Sequence, residues 1–585
     1  LLRYRLRGAK KATLYLTLRP FQVNPSTQFL NTTGGAAPIR TIARHGAHLL
    51  VNGQQRVDLA TSPARFVAAT WDEGNIVDLM HAPSRGQSVE DPFGYASAAL
   101  VYPNAREVTL TVPMQDNARP EPDIEAALRR IAGGWREKLH RVALELPGAP
   151  EVADTVRTNL AYILIHRDGV ALQPGSRSYE RAWIRDGALM GALLLRLGHV
   201  AEAKAFAEWF AGYQYPNGKV PCCVDHRGAD PVPENDSHGE LIFLVAELWR
   251  QTHDLALVQR LWPHVDGAAR YIDELRRQNH GPFEGLVTES ISHEGYSAKP
   301  MHSYWDDVFC VRGLEDASML ARVVGEESRA HDLDLQAASF RHDLRASIDR
   351  TIAEHHLDYI PASAELGDFD PTSTAIGISP LGLAALLPQR QLQRTYDLYF
   401  NRLALARPDY TPYEMRIIGA LIRMGDRKRA LRLVDLFLLD RRPAAWNEWA
   451  EVVSTTVRRP LFLGDMPHAW VASDFIRSIL DALCYEREDG ALIIGAGTPR
   501  RWIAHGTLHA GPLATSTGTV ELRMRVLSGG AIAVELSGTA HPSAMIVRTP
   551  DDRPIRRVTI DGQPVAHTEI EVTVSSLPAR VVFEH

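Results

Sequence analysis

Between residues 151 and 486 the sequence reads as helical stretches joined alternately by tight turns and by long loops, and this alternation restricts the fold more than any other feature. Apolar residues recur at helical spacing near 151–166, 182–197, 200–213, 237–252, 255–278, 305–324, 327–352, 377–386, 389–404, 412–424, 427–439 and 466–486. After the second, fourth, sixth, eighth and tenth stretches the links are short: LGH, QTHD, VGEE, LLPQ and MGDR. After the first, third, fifth, seventh and eleventh they are long, among them the carboxylate- and aromatic-rich TESISHEGYSAKPMHSYWDD (288–307) and AAWNEWAEVV (444–453). Antiparallel helix neighbours need only a few connecting residues, so repeated long loops point to function. If successive helices run up and down, every long loop falls on one face, and six such pairs close into an (α/α)6 toroid with the loops crowning one mouth. An open solenoid has a similar period but shows a repeated consensus, and these hairpins share none.

Both flanks read as β structure. From Leu1 to about 114 the pattern alternates (ATLYLTLRPFQV, HLLVNGQQRVDLA, REVTLTVPM), with Asn52-Gly53 as a two-residue hairpin signal, which predicts an antiparallel β-sandwich. The chain starts without Met in a strand-like LLRYRL, so the sandwich is expected to lack its first strands. A linker and connecting helix follow over 115–150, the barrel over 151–488, and a small β-domain over 489–585, with turn signals at Gly529-Gly530 and Asp561-Gly562.

Composition narrows the function classes. A hydrophobic fraction of 45% with 23% charged residues is that of a soluble globular protein, and a formal charge of -6 without basic-aromatic runs argues against nucleic acid. No apolar run approaches the length of a membrane span and no signal-peptide pattern is present, leaving a cytoplasmic, periplasmic or secreted location equally open. Cys222, Cys223, Cys310 and Cys484 are too few for a disulfide framework and lack C-x-x-C spacing, so they read as free thiols. There is no G-x-S-x-G or H-E-x-x-H, and His226, His238, His293, His302 and His468 fall in different loops without ligand spacing; no metal or cofactor is expected.

The segment YERAWIRDGALMGALLLRLGHVAEAKAFAEWF (179–210) carries Trp183, Arg185 and Asp186 where a helix begins. Asp186 there is suited to the helix dipole. The same three residues are also what a sugar site uses: an aromatic face for a pyranose and charged groups for vicinal hydroxyls.

WIRDG followed by LRLGHVAEAKAFAEWF resembles the segment of bacterial glucoamylase/glucodextranase-type enzymes in which a Trp-x-Arg-Asp element opens the second barrel helix. PMHSYWDDVFCVRGLEDA (300–317) is similar to that family's His-containing start of the sixth helix, and LGDMPHAWVASDF (463–475) to the start of its last helix. The matches fall in order within the six-hairpin (α/α)6 glycosidase superfamily. The resemblance implies an acid and a base flanking a scissile glycosidic bond, with inversion at the anomeric carbon. It places the acid on the loop before His302, where Glu289 is favoured over Glu294 because LVTES follows the same apolar lead-in; Asp306 and Asp307, beside Tyr304 and Trp305, are rivals as caps, sugar ligands or the acid. It places the base before the last helix, at Glu448 or Glu451; spacing to Gly464 favours Glu451, and the flanking Trp446 and Trp449 favour Glu448. Glu234, Asp236 and His238 fall where the family makes polar substrate contacts, against a capping box of Ser237 and Glu240; Asp368 and Asp370 read as Asx turns.

Such a pair is a chemical necessity. The acetal oxygen leaves only when protonated, so one carboxyl must hold a proton near neutrality while the other stays ionised to activate water. The reading is an exo-acting, inverting glycoside hydrolase on an oligosaccharide or glycoside, glucosides favoured. The alternatives are a disaccharide phosphorylase or α-rhamnosidase-type enzyme of the same superfamily, or a non-catalytic carbohydrate-binding protein.

Overall fold

The computed structural model describes the chain except residues 9–11, 23–35, 85, 114–122, 177–178, 404–408 and 455–463. Most of the expected linker therefore lies outside the described residues. Two compact units are present, Leu1–Glu137 and Lys138–His585.

The first unit is a β-sandwich. One sheet has the order Leu2–Arg5, Glu107–Thr111, Gln55–Leu59, His48–Val51, Thr41–His45, Ser88–Glu90; the other is Thr13–Leu18, Ser97–Pro103, Arg65–Ala69. Alternate residues of both sheets, including Ile42, Leu49, Val57, Phe66, Leu100 and Val108, share one buried core, as period-two patterning requires. The Asn52-Gly53 hairpin differs slightly from its prediction: Val51 pairs with Gln55, so three residues rather than two close it. The Asn52 amide is engaged elsewhere, bridging Arg40 N and Pro38 O at 2.7 and 3.0 Å.

Among the described residues the second unit holds twelve barrel helices: α1 Pro150–Ile165, α2 Ile184–Arg196, α3 Val200–Ala211, α4 Ser237–Thr252, α5 Leu255–Gln278, α6 Tyr304–Val324, α7 Glu327–Glu354, α8 Pro371–Ile378, α9 Gln389–Leu403, α10 Arg416–Arg423, α11 Arg427–Leu439 and α12 Ala469–Leu483. The even-numbered helices touch in cyclic order, α2 to α4, α6, α8, α10 and α12, and α12 packs back on α2; the odd-numbered ones lie outside them. The ring is closed, and α12 is buried all round: every one of its residues is inaccessible, among them Asp474, Arg477 and Asp481. The expected helix at 377–386 is corrected to 371–378. Asp370 caps it, accepting from Thr372 N and Ser373 N at 2.8 and 3.2 Å, and Pro371 occupies its first turn, a start signal that overrides the apolar run further on.

After the ring the chain forms two further sheets. One has the order Ala143–Glu145, Leu508–Thr515, Gly518–Val526, Ile532–Gly538, Ala579–Glu584, Arg557–Ile560, Gln563–Pro564; the other is Cys484–Glu486, Ala491–Ile494, Ala544–Arg548, Glu571–Val574. A strand from before the barrel thus completes the C-terminal β-domain. The Asp561-Gly562 turn is a two-residue hairpin, φ 50° and 84°, between paired Ile560 and Gln563. The protein is mainly α with β domains, and among the described residues no helix is long and apolar enough to cross a membrane.

Ring closure rests on close helix approach. A Cβ at Gly239 of α4 would lie 2.1 Å from the Phe309 carbonyl oxygen of α6. Backbone cannot yield as a side chain can, so Gly239→Ala is expected to lower unfolding stability by about 1–3 kcal/mol or more, measured by denaturant titration.

Candidate active site

Each long loop precedes an inner helix, so the inner helices start at one mouth of the ring. A cavity of about 490 Å³ opens there, between the first turns of α2, α8, α10 and α12 and the loops that lead into them. Positive helix ends and unpaired N–H groups make such a mouth receptive to carboxylates and hydroxyls.

The cavity floor is polar yet buried. Trp183 belongs to a two-residue strand paired with Cys223–Asp225, which fixes the chain direction entering α2. Arg185, 4% exposed, pairs with Glu234 and lies 3.6 Å from Asp236 and 3.7 Å from Asp186. Its guanidinium stands 5.0 Å from the Trp470 ring. Asp236 in turn accepts from Trp305 Nε1 at 2.8 Å, and Trp305 stacks on His293 at 4.7 Å. Arg416 sits among Trp305, Tyr413 and Trp470 and is held by Asp474 through two bonds of 3.0 and 2.8 Å. Burial raises the Asp186 carboxyl to about 7 against the pull of Arg185, and the charges of Glu294 and Glu451 push it the same way.

Glu451 is the most tightly built carboxylate facing the cavity. Tyr179 Oη and Tyr413 Oη donate to its two oxygens, the latter at 2.9 Å, while Gly464 packs so closely that a Cβ there would fall 2.0 Å from Oε2. Gly464 also has φ +64°, so both space and backbone require glycine. Burial raises Glu451 to about 7; the two tyrosine hydroxyls oppose that, and Glu294 and Asp465 add to it. Glu294 reaches the same cavity from the loop that leads into α6. Ser292 and Glu294 both take left-handed backbone, φ 55° and 65°, conformations that non-glycine residues keep where the surroundings enforce them. His468, edge-on to Tyr179 and Tyr413, is pushed down to about 3 by burial and is neutral.

Of the residues named from sequence, Trp183, Arg185, Asp186, His293, Glu294, Asp370, Glu451 and His468 line the cavity. Glu289 does not: its side chain is 59% exposed, 3.8 Å from His302 Nε2. His302 itself joins Glu365 at 2.5 Å and Asn279 at 3.2 Å, and Tyr304 bonds Ser347 and Thr351. Glu234, Asp236 and Trp305 form the layer beneath the floor. Asp306 accepts from Ser290 and Ser292 Oγ, both at 2.6 Å, anchoring the loop that carries Glu294; Asp307 accepts from Val287 N. Glu448 is buried and adjoins Tyr162 rather than the cavity. Trp446 is half exposed, and Trp449 donates to the Phe437 carbonyl and packs on Phe475. His238 accepts from Val220 N. The Ser237–Glu240 capping box does not form, because Asp236 is the N-cap residue. Asp368 closes a turn with Ser363 and receives Tyr296.

Sequence reasoning missed Tyr179, Tyr413, Arg416 and Trp470 as cavity residues. A signal was available for one of them, since Trp470 stands inside a stretch that carries the resemblance, and Tyr179 lies just ahead of another.

The sequence matches no protein-family model and no curated protein. Comparison of structures does find the fold, that of (α/α)6 glycosidases with accompanying β domains. The α-L-rhamnosidase from Dictyoglumus thermophilum superposes with a TM-score of 0.56 at 12% identity, covering 94% of this chain and 63% of that one. A bacterial glucoamylase complexed with acarbose gives 0.57 at 13% identity, covering 80% of this chain and 77% of that one. The Streptomyces avermitilis α-L-rhamnosidase complexed with L-rhamnose gives 0.52 at 14% identity, covering 94% and 53%. This chain spans less than two thirds of either rhamnosidase.

The raised carboxyls have a stability signature. A carboxyl whose folded value lies above its unfolded one contributes stability that is complete below the unfolded value and lost as pH rises through the folded one, near 7 for Glu451. Glu451→Gln removes that loss. The variant is expected to gain on the order of 2–3 kcal/mol relative to wild type at about pH 8.5 and little at about pH 4, read by thermal unfolding at both.

Proposed function

We propose that the protein is an exo-acting glycoside hydrolase of inverting mechanism, with Glu294 as proton donor and Glu451 as the base that activates water. The observation that carries this reading is that one cavity is lined by Glu294 from the loop before α6 and Glu451 from the loop before α12, together with Trp183, Arg185, Asp186 and Trp470. The floor is a pyranose subsite. Trp183 and Trp470 offer apolar faces, and Asp186 and Arg185 offer the charged partners that recognise adjacent hydroxyls.

Roles follow from the surroundings. Burial lifts Glu451 to about 7, and the two tyrosine O–H groups aimed at it oppose that by favouring the charged form, which a base must have. Glu294 lines the same cavity and is exposed to solvent, which supports its role as the donor that solvent re-protonates. It protonates the glycosidic oxygen as the C–O bond breaks; Glu451 takes a proton from water as that water's oxygen bonds the anomeric carbon. The excess proton on Glu294 has thus gone to the leaving alcohol and Glu451 has gained one from water, so solvent exchange resets the pair. The long loops gathered at the mouth support exo action.

A glucoside-type substrate is supported by the likeness to the acarbose-bound glucoamylase. A rhamnoside-type substrate is the second reading, favoured by overlays that take in 94% of this chain against 80% for the glucoamylase.

Turnover of an aryl-glycoside panel containing α-glucosides and α-L-rhamnosides is expected from wild type. Glu294→Gln and Glu451→Gln should each lower kcat by about 10²–10⁴, with Glu289→Gln within a few-fold of wild type. The base must be ionised, so kcat/KM should fall as pH drops below about 7. Unchanged turnover in both site variants would end this assignment, and glycan binding without turnover in wild type would favour a binding protein.

A further inference from the structure

The wall behind Trp183 contains a second cluster whose chemistry the hydrolase reading does not use. Cys222 and Cys223 are 3% and 1% exposed, yet their Sγ atoms turn to the same side and meet at 3.3 Å. Adjacent residues of an extended chain ordinarily face opposite ways. Asp230 joins them, so that two sulfurs and a carboxylate oxygen lie within 4.8 Å of one another. Among the described residues no other group of His, Cys, Asp or Glu meets that condition.

We propose that Cys222, Cys223 and Asp230 form a site for a thiophilic d10 divalent cation of the zinc class, built into the wall of the cavity. Tetrahedral zinc with bonds of about 2.3 Å to sulfur needs its sulfurs roughly 3.7 Å apart, only a few tenths of an ångström beyond the present separation. Each thiol has the other as its hydrogen-bond partner, a contact that the cation replaces. Asp230 is already oriented: Arg181 donates to Oδ2 at 2.6 Å and Val232 N to Oδ1 at 3.1 Å. Outer contacts of this kind are what hold a ligating carboxylate in place. Three protein ligands leave a fourth position for water.

The cluster is mechanically joined to the floor. Cys223 pairs with Trp183, and Ile184 N donates to the Cys222 carbonyl at 3.0 Å. Trp183 and Tyr179, the second of which donates to Glu451, pack directly on the two cysteines. Occupancy thus stiffens the segment that presents Trp183, Arg185 and Asp186. Binding is balanced by charge: two thiols lose their protons to solvent as two metal–sulfur bonds form.

The test is titration of chelator-washed protein with Co²⁺ as a spectroscopic probe and with Zn²⁺ in buffers of different ionisation enthalpy. Expected are a saturable thiolate-to-cobalt charge-transfer band, displacement of that band by Zn²⁺, and release of two protons per Zn²⁺. Cys222→Ser and Cys223→Ser should each abolish the band; Asp230→Asn should weaken binding by at least about tenfold. Cys484→Ser, remote from the cluster, should leave it intact and controls for loss of any buried thiol. Absence of the band at saturating Co²⁺, or its persistence in both cluster serine variants, would overturn the proposal. None of these readouts depends on glycoside turnover, so they stand or fall apart from the hydrolase assignment.

Discussion

The cavity depends on one buried guanidinium. Arg185 is surrounded by Asp186, Glu234 and Asp236, all nearly inaccessible to water. Without that cation three carboxyls would be desolvated with no counter-charge, a cost no core of this size absorbs lightly. Through Asp236 the same cluster reaches Trp305 on α6, and through the Trp470 ring it reaches α12. One residue therefore ties four of the six inner helices, α2, α4, α6 and α12, at the mouth of the ring. The arrangement also explains why the floor is rigid and charged at once: its charges are spent on one another, and what remains facing the cavity is an arginine edge, Asp186 and aromatic faces.

Around this anchor the inner-helix starts act as a common base plate. Asp370 illustrates the economy of the design. It caps α8, lies 3.7 Å from His293 and lines the cavity, while His293 stacks on Trp305 and sits next to Glu294 in the chain. Its carboxyl is held well below the usual range because His293 and the Ser373 and Thr372 hydroxyls outweigh burial. Capping, loop placement and presentation of the rim carboxylate are thus one network. The second buried pair, Arg416 with Asp474, does the same for α10 and α12 beneath Tyr413.

How much of this was legible in the sequence follows from the physics of each part. The ring was legible because helical periodicity and loop length survive without any knowledge of partners, and Trp183, Arg185 and Asp186 were legible because they open a regular helix. The choice between Glu289 and Glu294 was not. It turns on left-handed backbone at Ser292 and Glu294 and on Ser290 and Ser292 gripping Asp306, long-range contacts in a segment with no period. Glu448 and Glu451 stood equal for the same reason. Only the fold shows Tyr179 and Tyr413 converging on Glu451 from two distant loops. Trp446 and Trp449 misled because an aromatic beside a carboxylate is as useful to a core as to a sugar, and Trp449 went to the core.

In the proposed mechanism Glu294 and Glu451 act from opposite sides of one bond, the first giving a proton and the second directing water. Stereochemistry reads that most directly. Proton NMR of the first-formed sugar, taken before mutarotation, is predicted to show the anomer opposite to that of the substrate. A product of the same anomeric configuration would mean a covalent glycosyl-enzyme route and would contradict the account.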